Sequence, residues 1–379
     1  MKNNYKQCTQ CVMDTVGDPK IIFDEKGECN YCKEYRALKN ALVVEGEPAV
    51  TMLREKCNEM KAAVDGDHYN CILGLSGGVD SSYLAYVAKQ LGLNPLCIHF
   101  DNGWNSEIAV QNIEYIVNKL DFDLFTYIIN WDEFKDLQRA YFKAGVIDIE
   151  ALTDHAIFAS IYKLAFKTGI KYILSGSNVV TEGILPQHWT HRKSDYINIV
   201  DIHKKHGSIQ LKTFPLIDKR TKDKIKKWGI ETVELLNMMP YNKAEAKQIL
   251  KEELNWQDYG GKHYESVFTK FYQAYVLPVK YNVDKRKAHL STLICSGQIT
   301  KQEALLELKK PLYRDDELKQ DKTYVLKKLG FTEEQFDQMM KGLPVPHTNY
   351  AVEGSLFYYY PFLKPLQPIW EKYKQMRDK

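Results

Sequence analysis

Between residues 69 and 175 short apolar runs alternate with stretches in which apolar side chains recur every three to four positions. Short runs bounded by glycine, serine, asparagine and aspartate read as buried strands, and the stretches between them as amphipathic helices. The pattern predicts strands at 71–75, 95–101, 124–129 and 172–175, with helices near 80–91, 106–119, 132–143 and 154–168. Asn105 or Ser106 can cap the second helix, and Thr153-Asp154 can cap the last with the Asp154 carboxylate. Strands alternating with helices assemble as a parallel sheet covered on both faces, so the fold class is α/β, a doubly wound parallel sheet.

The flanks read differently. Residues 1–47 carry paired cysteines separated by turn formers, Gly17-Asp18-Pro19 and the hairpin-like "DEKG" at 24–27. Residues 48–68 have helical spacing and form a connector. The α/β domain extends over 69–215, with weak periodicity in its last third. Residues 216–379 hold a lysine-rich run at 219–227, expected to be solvated, and then long aromatic-rich helical patterns, a helical C-terminal region.

Composition narrows the function classes. A chain of 379 residues is long enough for several domains, so any metal site serves a local purpose. Fifty-two basic against 49 acidic residues leave a net charge of +3, which argues against a nucleic-acid binder that relies on a broad basic surface. The start lacks a signal-peptide pattern and no apolar run is long enough for a membrane span, so a cytoplasmic protein is expected. Of the eight cysteines, Cys8 and Cys11 form one C-x2-C pair and Cys29 and Cys32 another, the spacing of a zinc ribbon. Structural Zn²⁺ on these four thiolates is the expectation, with an iron–sulfur cluster or free thiols as the alternatives. Cys71 and Cys97 fall inside strand patterns and read as core.

The stretch "LGLSGGVDSS" places a loop, 76–82, between the first strand and its helix. Ligands of open parallel sheets bind at such carboxyl-end turns. Gly77 and Gly78 permit close backbone approach, and the helix that follows offers free N–H groups and a positive dipole end, so the natural occupant is a phosphate or pyrophosphate. Ser76, Ser81 and Ser82 can donate hydrogen bonds, Val79 adds a backbone N–H, and Asp80 can hold Mg²⁺ or the helix start. The loop is not G-x-G-x-x-G, and it lacks the G-K-[ST] ending that serves cleavage at the γ-phosphate.

S-G-G-x-D-S after a first strand resembles the PP-loop of ATP pyrophosphatases. That resemblance implies ATP and Mg²⁺ as cofactors, cleavage between the α and β phosphates, and adenylation of a substrate oxygen. It also gives His99 and Asp101, at the end of the second strand, and Gly176 and Asn178, after the fourth, positions facing the nucleotide. Three blocks, "CTQCVMDT…IIFDEKGECNYC", "LGLSGGVDSS…HFDNGWNSE" and "DYGGKHYESVFTKFYQAYVLPVKYNVDKRKAHLSTLICSGQITKQEAL", together resemble the N-acetyl sugar amidotransferases of bacterial surface-polysaccharide synthesis. What this implies is conversion of an acetamido group on a nucleotide-activated sugar to an acetamidino group, with ammonia from a separate glutaminase. No cysteine here sits at the N-terminus or in a glycine-flanked elbow, as a glutaminase nucleophile would, which agrees with a partner supplying the ammonia.

Ser76, Asp80, Lys262 and Arg286 are the candidate catalytic residues. Lys262 lies in the polar cluster that follows Gly260-Gly261, and Arg286 shares a helix face with His289, suited to the sugar's diphosphate. The alternative is a PP-loop tRNA sulfurtransferase, against which the strand-embedded Cys71 and Cys97 weigh.

Overall fold

The computed structural model describes residues 5–354 except 65, 67, 262 and 263. Five strands form one sheet: β1 (Cys71–Gly74), β2 (Pro95–Asp101), β3 (Leu124–Ile128), β4 (Tyr172–Leu174) and β5 (Glu231–Val233). All pairings are parallel and the order is β3-β2-β1-β4-β5. The first four strands lie where the apolar runs place them. β5 has no apolar run to announce it: Glu231 and Thr232 are exposed at the sheet edge and only Val233 is buried.

Alternation along β1 builds two cores. Cys71 and Leu73 pack with Leu84, Ala85 and Ala88 of the helix Val79–Gln90 and with Ile113 and Ile116 of the helix Glu107–Leu120. Ile72, between them in sequence, points the other way, onto Ile161 and Leu164 of the helix Ala151–Thr168. Such a period-two pattern follows from strand geometry and requires helices on both faces. β1 also has β2 on one side and β4 on the other, so the chain reverses its winding direction between β1 and β4. A crevice opens at the carboxyl ends of strands at such a point.

Two capping expectations have different outcomes. Ser106 caps Glu107–Leu120, its Oγ accepting from the Ala109 N–H at 3.2 Å. Asp154 is not an N-cap: the helix begins at Ala151 after a turn in which the Ala151 N–H reaches the Asp148 carbonyl, and Asp154 instead pairs with Lys193 at 3.1 Å. The lysine-rich helix Lys219–Trp228 buries none of its residues. The weakly periodic stretch before it contains the helix Tyr196–His206, which buries Ile197, Ile199 and Ile202.

β5 falls inside the region expected to be helical and belongs to the sheet; beyond it the described part of the C-terminal region is helical, and residues 355–379 lie outside the described residues. It reaches the sheet through backbone bonds from Ser106 N–H to the Glu265 carbonyl and from Val267 N–H to the Trp104 carbonyl. A helical rod then runs through Val267–Phe271, a π-helical segment Tyr272–Val276 and Leu277–Tyr281. The helix Lys285–Cys295 has two uses. Lys285, Arg286 and His289 line a cavity, whereas Lys287 and Ser291 hold the N-terminal module through Asp14 (2.6 Å) and the Val12 N–H (3.3 Å).

Candidate active site

Gly77 sets the shape of the 76–82 loop. Its φ is +78°, and a Cβ would stand 2.5 Å from the Ala109 carbonyl oxygen. Only glycine fits. Its carbonyl accepts hydrogen bonds from the Trp256 indole (2.9 Å) and the Asn112 amide (3.4 Å), and the Val79 N–H donates to the Tyr259 hydroxyl (3.3 Å). Within the loop Ser76 Oγ lies 3.1 Å from Ser81 Oγ and accepts from the Gly78 N–H at 3.3 Å. The result is a braced turn at the positive end of the helix Val79–Gln90, suited to an anion. Of the loop residues Ser76 and Val79 line the cavities described below; Gly77, Gly78, Asp80, Ser81 and the fully buried Ser82 do not.

The loop after β4 presses on this turn. A Cβ on Gly176 would meet the Ser81 nitrogen at 3.1 Å. Asn178 caps the short helix Val179–Glu182 through the Thr181 N–H (2.9 Å) and extends its amide to Asp80 Oδ1 (3.4 Å). The Tyr241 hydroxyl donates to the same oxygen at 2.5 Å. Burial, with the nearby Asp80 and Glu182 carboxylates, raises the Tyr241 pKa and keeps the phenol a donor. Asp80 and Glu182 are thus neighbouring carboxylates around the Tyr241 phenol behind the anion loop, an oxygen pair of the kind that holds Mg²⁺, although neither lines the cavities described below.

Two cavities meet beside the loop. The smaller, about 330 Å³, lies at the carboxyl ends of β1, β2 and β4 and is lined by Ser76, His99, Gly176 and Glu150. The larger, about 620 Å³, lies under the C-terminal helices and is lined by Val79, Lys243, Lys247, Arg286, His289 and Lys310. Gln273, on the π-helical segment, and Lys285 line both. π segments inside helices occur often at functional sites, and this one turns Gln273 toward the junction.

His99 faces the Leu75 carbonyl with Nδ1 (3.3 Å) and the Asn105 amide with Nε2 (3.1 Å), and burial lowers its pKa toward a neutral ring. Asp101 shapes the turn after β2 by accepting from the Gly103 N–H (2.8 Å) and lines neither cavity. Arg286 faces the larger cavity while its guanidinium donates to Asp284 (2.8 Å) and to the Lys310 carbonyl (2.8 Å). Lys262 lies outside the described residues. Tyr241, Asn112, Trp256, Gln273 and Glu150 escaped the sequence reading because single tyrosines, amides and carboxylates carry no spacing signal.

An ionic cluster, buried at Asp148 and Glu150 and half-exposed at Lys193 and Asp154, borders the smaller cavity. Lys193 reaches Asp148 (2.7 Å) and Asp154 (3.1 Å), and Glu150 Oε2 accepts from Thr269 Oγ1 (2.8 Å). His155 is structural: its Nε2 accepts from the Ile217 N–H (2.9 Å), leaving Nδ1–H for the Lys193 carbonyl (2.7 Å).

The four paired cysteines converge as their spacing predicts. Their sulfurs lie within 4.8 Å of one another, with 3.8 Å between Cys8 and Cys32, 3.7 Å between Cys11 and Cys29, and 3.6 Å between Cys29 and Cys32. A tetrahedral ion with metal–sulfur bonds of about 2.3 Å would set sulfurs about 3.8 Å apart. N–H groups of Gln10, Cys11 and Cys29 point at Cys8 Sγ at 3.3–3.5 Å, as suits a thiolate. The donor set fits one metal ion better than a polynuclear cluster, whose separate irons would spread the sulfurs. Cys295 stands 3.6 Å from Cys32, outside the quartet.

Residues 265–364 match the family model described as LPS biosynthesis protein WbpG-like, C-terminal domain. An uncharacterized protein of Methanocaldococcus jannaschii is 26% identical over 75% of this chain and 94% of its own length. The tRNA-specific 2-thiouridylase MnmA of Clostridioides difficile is 23% identical over 51% of this chain and 58% of its own. The glutamine-hydrolyzing GMP synthase of Baumannia cicadellinicola is 25% identical over 43% of this chain and 31% of its own. Among solved structures, NMN synthetase from Francisella tularensis aligns with a TM-score of 0.35 and 14% identity over 83% of this chain and 98% of that one. No described helix is long and apolar enough to cross a membrane. Residues 265–364 thus match the WbpG-like C-terminal domain of lipopolysaccharide biosynthesis, and the chain is similar in sequence to a tRNA thiouridylase and a GMP synthase.

Proposed function

We propose that the protein is an ATP-dependent amidotransferase that converts an acetamido group of a nucleotide-activated sugar into an acetamidino group. The observation that carries this reading is the junction of two cavities at Gln273 and Lys285: a smaller one beside the PP-loop and a larger one lined by lysine and arginine side chains. The smaller suits ATP. The larger suits a sugar with an anionic diphosphate handle, whose amide then reaches the α-phosphate where the cavities join.

An amide oxygen is a poor leaving group, so ammonia cannot displace it directly. Transfer of AMP to that oxygen makes it a phosphate ester, and pyrophosphate departs onto the 76–82 loop, where Ser76, Ser81 and the helix N-terminus receive its charge. Ammonia adds to the activated carbon and AMP leaves. Bound Mg²⁺ would neutralise phosphate charge, with Asp80 and Glu182 as its protein ligands. Most of the rate then comes from holding two substrates in line.

The ammonia comes, on this reading, from a separate glutaminase, and the cytoplasm, where nucleotide sugars and ATP are found, is the place of reaction. Zn²⁺ on Cys8, Cys11, Cys29 and Cys32 stabilises the module behind the Lys285–Cys295 helix. The match to the WbpG-like domain supports a sugar substrate, because that segment supplies much of the larger cavity. The similarity to a tRNA thiouridylase keeps tRNA thiolation as the second reading. Cys71 and Cys97 weigh against it, since both lie buried in strands, with thiols whose pKa values burial raises.

Pure protein given ATP, Mg²⁺, ammonium chloride and a panel of acetamido nucleotide sugars should release AMP and pyrophosphate and lower the mass of one sugar by about one unit, the exchange of O for NH. Thiolation of tRNA without pyrophosphate release on any sugar would overturn the proposal.

A further inference from the structure

Glu150 lies beside the loop and has no part in the adenylation chemistry. It is 8% exposed, precedes the helix Ala151–Thr168 and lines the smaller cavity. One carboxylate oxygen accepts from Thr269 Oγ1 at 2.8 Å; the other, Oε1, is buried and has no hydrogen-bond partner among the described residues. A buried carboxylate oxygen without a donor costs free energy of folding, so its retention calls for a ligand that supplies N–H or O–H groups. Lys285 and Gln273, which line both cavities, share this cavity with Glu150, and that puts the carboxylate on the ATP side of the junction.

We infer that Glu150 Oε1 receives the proton shed by ammonia as it attacks the adenylated amide carbon where the two cavities meet. This deepens the amidotransferase reading and rests on it. The ammonia lone pair forms the C–N bond as the C=N π pair of the adenylated amide moves onto its own nitrogen, leaving the attacking nitrogen positively charged with three N–H bonds. One of those protons moves to Glu150 Oε1, the C=N bond reforms as the C–O bond to AMP breaks with its electron pair going to AMP, and Glu150 returns the proton to solvent through the open cavity.

The surroundings suit the task. Burial, with the charge of Asp154, pushes the Glu150 carboxyl up to about 7, against the Thr269 hydrogen bond and the cations Lys285 and Lys193, which pull it down. Asp148 faces the same cluster and is matched by Lys193, and the Tyr272 phenol also senses Glu150. A base with a pKa near the working pH accepts a proton in the transition state and gives it up again readily.

Two reactions separate this role from the rest. Exchange of labelled pyrophosphate into ATP, dependent on the sugar and run without ammonia, reads adenylation alone. Amidine formation with ammonium chloride reads the attack. Glu150→Gln should leave exchange within about twofold of wild type and slow amidine formation by about 100-fold or more, the usual scale for loss of a general base. Hydroxylamine, whose nitrogen sheds its proton more readily, should restore product formation in this variant. At constant free ammonia the wild-type rate should fall as pH drops through about 7, because the carboxylate must be ionised to accept; Glu150→Gln should lack this limb. Thr269→Val, which removes a donor to the ionised form, should move the limb to higher pH, and it serves if Glu150→Gln does not fold. Equal loss of exchange and amidine formation in Glu150→Gln, or no loss of either, or an unmoved limb in Thr269→Val, would overturn the assignment. Absence of sugar-dependent exchange in the wild-type protein would instead refute the amidotransferase reading itself.

Discussion

The Tyr241 hydroxyl donates to Asp80 Oδ1 across 2.5 Å, joining the first turn of the PP-loop helix to a residue 161 positions further along the chain. Asn178, from the loop after β4, shares that oxygen at 3.4 Å. Asp80 is thus fixed from two elements, and the position of its carboxylate depends on both. Asp80→Ala should abolish pyrophosphate release while the four-cysteine metal content stays unchanged. Tyr241→Phe, which removes a hydrogen bond to a charged group, should cost about 1.5–3 kcal/mol of that function, or roughly 10- to 100-fold in rate. Pyrophosphate release measured on both variants checks this; full activity in Asp80→Ala would remove the loop from the mechanism.

Gly77 tests the loop's shape independently of its side chains. A methyl group there meets the Ala109 carbonyl oxygen at 2.5 Å, on a backbone with φ of +78°. Both the contact and the left-handed conformation oppose Gly77→Ala, so nucleotide binding should fall at least tenfold with the sheet still folded. Titration with ATP, followed alongside circular dichroism, would measure the two effects separately. An unchanged ATP affinity would contradict the geometry.

Two buried histidines predict a pH dependence of stability. His155 and His347 each accept a backbone N–H at Nε2, from Ile217 (2.9 Å) and Asp148 (3.3 Å), which their protonated forms cannot do. Burial lowers His155 to about 4 and His347 to about 3. In the unfolded chain both take up protons near 6.5. Between roughly pH 6.5 and 4 the unfolded state therefore binds more protons, and stability falls as pH falls. Each histidine contributes on the order of 3 kcal/mol across that window. Urea midpoints at pH 7.5 and 5 should differ, and His347→Gln should reduce the difference; equal midpoints in wild type would show that neither ring is held neutral.

Metal removal should act at a distance. Beyond the bonds that Lys287 and Ser291 make, Lys301 Nζ donates to the Cys8 carbonyl at 2.6 Å, so the four-cysteine module braces the helix that also presents Lys285, Arg286 and His289. A chelator or Cys32→Ser should lower the melting temperature and raise the KM for the sugar more than that for ATP. Cys295→Ser, outside the quartet, should keep one metal ion per chain by elemental analysis. Loss of metal without any change in sugar KM would separate the module from the cavity.

Apolar runs at 71–75, 95–101 and 172–175 placed β1, β2 and β4, because strands covered on both faces are apolar nearly throughout. β3 is an edge strand with Leu124 and Ile128 exposed, yet its apolar, aromatic and β-branched residues still marked it, whereas β5, the other edge, begins with the exposed Glu231 and Thr232 and carries no such run. The Asp154 cap failed because capping potential is local while its rival partner, Lys193, lies 39 positions away in sequence. Lys193 could not be weighed against it without the fold.

The sequence by itself determined the anion loop, the four-cysteine quartet and the α/β class, each of which rests on residues close together along the chain whose chemistry is set by spacing. Only the tertiary structure decided that Asp80 meets Tyr241, that Gln273 and Lys285 stand where two cavities join, and that Glu150 Oε1 is buried without a donor among the described residues. These relationships depend on long-range packing between the sheet and the C-terminal helices. Partner, burial and charge environment are properties of that packing, which no local pattern encodes.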